Sequence, residues 1–169
     1  MARAFVEREP SVSRVAALAR VGRASFYEFF DDFEHALAIV RSLSVDALQR
    51  GLEAALIRER APVAALRSLT QAFLESLQRW PEAALVALAS DGGETSPLGR
   101  SFERALRSWA VSSQSAGLIT PQGDSERLLL ATGAAEAFAR RVALRAAAGG
   151  PEVVDAAKQL ADALLRLLR

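Results

Sequence analysis

The chain has no cysteine, one histidine, one methionine and one tyrosine among its 169 residues. Without cysteine there is no disulfide, no thiolate nucleophile and no Cys-ligated metal, a composition that suits a reducing cytoplasm. The single histidine, His35, cannot complete a transition-metal site with its neighbours Asp31, Asp32 and Glu34, so neither a metal nor a cofactor is expected. Long apolar runs are also missing. The longest, Ala83 to Ala89, is far short of the roughly 20 residues that cross a bilayer, and the N-terminus lacks the charged-then-apolar pattern of a signal peptide. A cytoplasmic protein with no membrane partner is therefore expected. There is no paired general acid and base, no nucleophile elbow and no glycine-rich phosphate loop, so enzymatic activity is not expected. The net charge of +1 gives no bulk electrostatic sign of a nucleic-acid partner.

What is present is helix-forming. Hydrophobic residues make up 51% of the chain, with Ala and Leu the most frequent and almost no β-branched runs, and the expected fold class is all-α. After a short N-terminal head, apolar spacing predicts a long helix from Phe33 to about Arg60. Leu37, Val40, Leu43 or Ser44, Ala47, Leu48, Leu52 and Leu56 lie along one side of it. Asp31 and Glu34 form a candidate capping arrangement at its start. Pro62 and Pro81 suit first helical positions. Ser90 to Pro97 and Gly117 to Asp124 read as loops, with helix from Leu98 to about Ala116 between them. Two further helices, about 125–148 and 152–168, flank Gly149-Gly150-Pro151. Ala131, Gly133, Ala134, Ala135, Ala137 and Ala139 make the first close-packing. The second carries an apolar stripe too wide for one contact, which predicts a partner.

The most informative stretch runs from Ser11 to Leu37. Ser11 suits an N-cap, and Val12, Val15, Ala16 and Ala19 place one apolar stripe on a short helix. The pattern breaks at Arg20-Val21-Gly22 and resumes with Phe26 and Phe30, while Arg23, Ser25 and Tyr27 point elsewhere. Two short helices about a Gly-containing turn form the unit that places its second helix in the DNA major groove. From Met1 to Tyr27 five Arg face two Glu, a local charge of +3 that can attract phosphate even in a near-neutral chain.

Ser11, Val12, Val15, Ala16, Ala19, Val21, Ala24, Ser25, Phe26, Tyr27, Phe30, Glu34 and Leu37 fall without a gap on a known pattern. In this the stretch resembles the N-terminal motif of the TetR-type bacterial transcriptional regulators. Beyond the first quarter of the chain the likeness is one of length and helical character. Four positions depart from the pattern: Arg20 stands where the family has a turn Gly, Gly22 where it has Ser, Phe29 where it has His or Tyr, and Phe33 where it has a phosphate-contacting Lys. The segment before the motif is also shorter than the family's first helix.

The resemblance implies a three-helix, helix-turn-helix head over residues 1–46. It also implies a helical effector-binding and dimerisation bundle over 47–169, with the last two helices forming a two-fold dimer. The implied function is a ligand-responsive repressor that binds a palindromic double-stranded DNA operator as a homodimer. The expected DNA contacts are Ser11, Val12, Gly22, Arg23, Ala24, Ser25 and Tyr27. Arg23 suits a guanine edge, Ser11 a phosphate at a helix N-terminus, and Ala24 a close approach. A small apolar effector is expected among Phe73, Leu77, Trp80, Phe102, Leu106, Trp109 and Phe138, although ordinary core explains these aromatics equally well. The competing expectation is a helical dimer that binds a ligand or protein partner and has lost specific DNA binding.

Overall fold

The structure is a computed structural model. It describes residues 11–89, 95–119, 124–150 and 155–168. These residues form eight α-helices and no strand, so the fold is all-α. The helices are α1 (Val12–Ala19), α2 (Arg23–Tyr27), α3 (Phe33–Arg58), α4 (Pro62–Arg79), α5 (Pro81–Ala87), α6 (Pro97–Ser115), α7 (Asp124–Ala147) and α8 (Ala156–Leu168).

Their ends follow from local chemistry. Pro62, Pro81 and Pro97 each open a helix, at a position whose N–H would have had no partner. Helix α6 thus begins one residue before the expected Leu98. It is capped by Ser96, whose Oγ accepts from the Gly99 amide at 3.0 Å. Gly117 ends α6 and Gly149 ends α7, both at φ 70°. In each case the next two amides turn back into the helix: Gly117 N–H to Gln114 O and Leu118 N–H to Ser113 O, then Gly149 N–H to Ala146 O and Gly150 N–H to Arg145 O. This left-handed closure satisfies carbonyls that the helix leaves free. The cap of α3 differs from the expected Asp31–Glu34 pair. Asp32 is the N-cap and accepts from the His35 amide at 2.7 Å, while the Asp31 amide lies 3.1 Å from His35 Nδ1. The start of α8 differs as well. Asp155, at φ 61°, precedes a helix that begins at Ala156, and residues 152–154 of the expected span lie outside the described residues.

There are two hydrophobic clusters. The small one joins Val15, Phe26 and Ala36, with Val12, Phe30 and Phe33 packed against it, and so ties α1 and α2 to the first turns of α3. The large one fills the body between α3, α4, α5, α6, α7 and α8. Phe73 and Phe102 stack at its centre with ring centroids 4.4 Å apart, and the buried Trp109 donates its Nε1–H to Pro62 O at 2.6 Å. Ala131, Ala135, Ala139 and Ala143, four residues apart on α7, are fully buried, so their small side chains serve packing within the chain. Most of the α8 stripe is likewise used internally. Ala156, Leu160, Ala161, Leu164 and Leu168 are buried, and α8 packs on α4 and α7. The wide stripe therefore satisfies mainly intrachain contacts, with Ala163 and Leu167 left facing outward.

One cross-helix anchor fixes the start of α6. Glu136 of α7 accepts from the Ser96 amide at 2.9 Å and from the Ser96 hydroxyl. A Cβ added at Gly99 would overlap that carboxylate and lie 2.8 Å from Thr95 Cγ2. Gly99→Ala is expected to destabilise the chain by about 1–3 kcal/mol, the usual cost of forcing an extra methyl into a filled space. Thermal melts of Gly99→Ala, Glu136→Ala and the double variant check this. The Ala at 99 should cost less once Glu136 is shortened, and strictly additive effects would remove the Glu136 carboxylate as the cause.

Candidate functional site

The α1–α2 unit is held by a short list of contacts. Ser11 Oγ accepts from the Arg14 amide at 3.3 Å at the start of α1. At its end Arg20 adopts φ 56°, ψ 38°, with Arg20 N–H bonded to Ala17 O and Val21 N–H to Ala16 O. This is the same closure that Gly117 and Gly149 make, carried out by a residue with a side chain. Arg20 thus keeps the left-handed turn conformation at the position where the resembled pattern has Gly. Gly22, extended at φ −72°, precedes α2 and contributes no side-chain cap.

Phe26 is buried against Val15 and Ala36, which turns the other side of α2 outward. Arg23, Ala24 and Tyr27 are exposed there, as are Ser11 and Gly22, while Val12 and Ser25 are half-buried. Val12 packs against the small cluster, so its environment is that of a core residue more than of a contact residue. Phe29 is the most exposed aromatic of this region, at 73%. Arg14, Arg20 and Arg23 lie on the exposed surface of the unit, and Glu28, Asp31 and Asp32 follow where it joins α3. Arg3 and Arg8 lie outside the described residues.

A cleft of about 830 Å³ lies between α3, α4 and α5. Its lining includes Val40, Leu43, Ser44 and Ala47 of α3, Ala72, Glu75, Ser76 and Arg79 of α4, and Glu82, Ala83 and Ala84 of α5. Trp80, between α4 and α5, and Leu98 complete it. A smaller depression of about 450 Å³ shares Gly51, Ala72 and Glu75 with the cleft and continues along α3 and α4 to Arg58 and Arg67.

Of the seven expected effector-pocket residues only Trp80 lines this cleft. Phe73, Leu77, Phe102, Leu106 and Trp109 are at most 1% exposed and belong to the main core, and Phe138 packs against it. The physical reason is that α4 and α6 turn these side chains into the core they share with α7. The residues that reasoning missed are on α3. Its apolar positions divide between two faces: Leu48, Leu52 and Ala55 enter the core, whereas Val40, Leu43 and Ala47 face the cleft. The signal in the sequence was an apolar pattern spread wider than one helix contact requires.

Two arginines grip the C-terminal end of α5. Arg41 of α3 donates Nε–H to Val86 O at 3.4 Å, and Arg140 of α7 donates Nη2–H to Leu88 O at 2.8 Å. Cations are favoured at a helix C-terminus, where carbonyls carry partial negative charge. On the outer side of α7, Leu130, Ala134, Ala137 and Leu144 are exposed on one face, with Leu130 60% and Leu144 51% accessible. Among the described residues no group of three His, Cys, Asp or Glu side chains is placed to hold a metal ion. Among them too, no helix is long and apolar enough to cross a membrane.

No protein-family model and no curated protein matches the chain. A solved structure, of a protein with unknown function from Rhodococcus sp. RHA1, is similar to it. The TM-score is 0.64 at 22% sequence identity, covering 99% of this chain and 91% of that one. At that identity the likeness concerns the fold alone.

Substituting Arg20 by Gly is expected to stabilise the α1–α2 unit by about 1 kcal/mol, because the left-handed conformation costs a side-chain-bearing residue roughly that much. Hydrogen exchange at the α1 and α2 amides checks it. Slower exchange is expected, and unchanged or faster exchange would show that Arg20 is not strained.

Proposed function

We propose that the chain is a helix-turn-helix transcriptional regulator of TetR-like type, acting as a homodimer on a palindromic operator. The reading divides it into a DNA-binding head to about residue 46 and a body that dimerises and takes a small effector. The observation that carries it is the attitude of α2. Phe26 faces inward while Arg23, Ala24 and Tyr27 are exposed. A helix so placed can enter a major groove with Arg23 at a guanine edge, Tyr27 at a phosphate and Ala24 permitting close approach. The exposed N-terminus of α1 at Ser11 suits a second phosphate.

Dimerisation through the outer faces of α7 and α8 would set the spacing of two such helices, about 34–36 Å for successive major-groove turns. Leu130, Ala134, Ala137 and Leu144, with Ala163 and Leu167 of α8, supply an apolar face for it. An effector that favours a body conformation with the wrong head spacing would release the DNA. Contact of α5 with α3 through Arg41, and with α7 through Arg140, supports such coupling. The exposed Phe29 beside Tyr27 favours the second reading, a dimer that binds a ligand or protein partner without recognising DNA.

A gel shift on the DNA flanking the gene, with excess nonspecific competitor, separates the two readings. On the shifted fragment Arg23→Ala should weaken binding by about 1–3 kcal/mol as the loss of a base contact. Tyr27→Ala should lower affinity across sequences through the loss of a phosphate hydrogen bond. Unchanged affinity and salt dependence in both variants would remove α2 as the recognition element. For the dimer, Ala137→Arg places a charge at the centre of the α7 face and should shift the chain to monomer in sedimentation experiments. A variant that remains dimeric would move the interface elsewhere.

A further inference from the structure

The cleft between α3, α4 and α5 has a definite chemistry. At about 830 Å³ it lies within the size range of small-molecule sites. One wall is apolar, formed by Val40, Leu43 and Ala47, and Leu43 is 63% exposed there. At the mouth stands Trp80, 65% exposed, whereas the other tryptophan, Trp109, is buried in the core. Surface of this kind, left without cover in the free protein, gains from an apolar ligand.

The ionised groups on the lining decide the sign of that ligand. Among the described residues they are Glu75, Arg79 and Glu82, giving a net charge of −1. Glu75 accepts from Gln71 Nε2 at 2.7 Å. Glu82 and Arg79 have no ion-pair partner among the described residues. Arg79 follows Glu75 by one helical turn on α4, a spacing at which the two can offset each other, which leaves Glu82 beside the exposed indole. The remaining basic groups, Arg58 and Arg67, line the far end of the continuing depression, beyond Gly51 and Ala72, where Arg67 lies 3.8 Å from Asp162. An anion in the cleft would face Glu82 with only Arg79, already offset by Glu75, to pair with, and a neutral ligand would leave Glu82 unmatched. A cation would have a carboxylate and an aromatic face together.

We propose that this cleft binds an amphipathic organic cation, its apolar body against Val40, Leu43 and Ala47 and its positive charge between Glu82, Glu75 and the face of Trp80. Binding itself is independent of the regulator reading, and only its consequence for DNA rests on that reading.

Tetraphenylphosphonium and tetraphenylborate, nearly identical in shape and opposite in charge, test the proposal on the full chain. Equilibrium dialysis gives the affinities, and quenching of Trp80 fluorescence locates the site. The phosphonium should bind more tightly than the borate by about tenfold or more, and Glu82→Gln should weaken it by about tenfold, the scale of one lost charge contact. Glu75→Gln should weaken it less, because Arg79 already offsets that charge, and Arg79→Gln should strengthen it. Unchanged thermal melts would establish that these surface variants remain folded. Equal or tighter binding of the borate, no binding of either ion, or phosphonium affinity unaffected by Glu82→Gln would overturn the proposal. Phosphonium binding by a chain that shifts no DNA would leave the cation site standing and remove the regulator. A chain that shifts its operator but prefers the borate would do the reverse.

Discussion

Among the described residues helix α3 is the element that contributes side chains to both hydrophobic clusters, Phe33 and Ala36 at one end and Leu48, Leu52 and Ala55 further on. Its 26 residues rise about 39 Å, so it is both the spacer and the mechanical link between the α1–α2 unit and the body. Among the described residues the small cluster has Val15, Phe26 and Ala36 as its buried apolar groups, and α1 and α2 span eight and five residues. Helices of that length have little stability of their own. Among the described residues it is the capped first turns of α3 that the unit packs against.

The same helix shows why part of the molecule was legible in the sequence and part was not. Its start was, to within the identity of the capping pair, because an N-cap is a local event between residues three apart. The ends of α6 and α7 were marked by Gly117 and Gly149, and the starts of α4 and α5 by Pro62 and Pro81, for equally local reasons. Which side of α3 meets which neighbour was not legible. Val40, Leu43 and Ala47 share helical spacing with Leu48 and Leu52, and only the placement of α4, α5 and α6 separates cleft from core. The aromatics of α4 and α6 illustrate the same limit in reverse. Phe73, Leu77, Phe102, Leu106 and Trp109 had the composition of a ligand pocket, but the close approach of the helices makes them the interior.

At the α1–α2 unit the sequence was more informative. The departure of Arg20 from glycine left open whether the turn changes or a residue with a side chain takes the left-handed conformation, and the backbone does the latter. The burial of Phe26 followed from its four-residue spacing with Phe30. The exposure of Phe29 did not, since periodicity over so short a helix leaves the next residue free to face either way.

The anchor at the start of α6 has a bearing on how sequences of this fold can diverge. The Glu136 carboxylate occupies the space that any side chain at position 99 would need, and it holds the Ser96 amide and hydroxyl from across the helix pair. Positions 99 and 136 are therefore one structural choice made at two places 37 residues apart in the chain. A relative that gains a β-carbon at 99 must shorten or redirect position 136 and find another partner for the cap, so the two should change together or not at all.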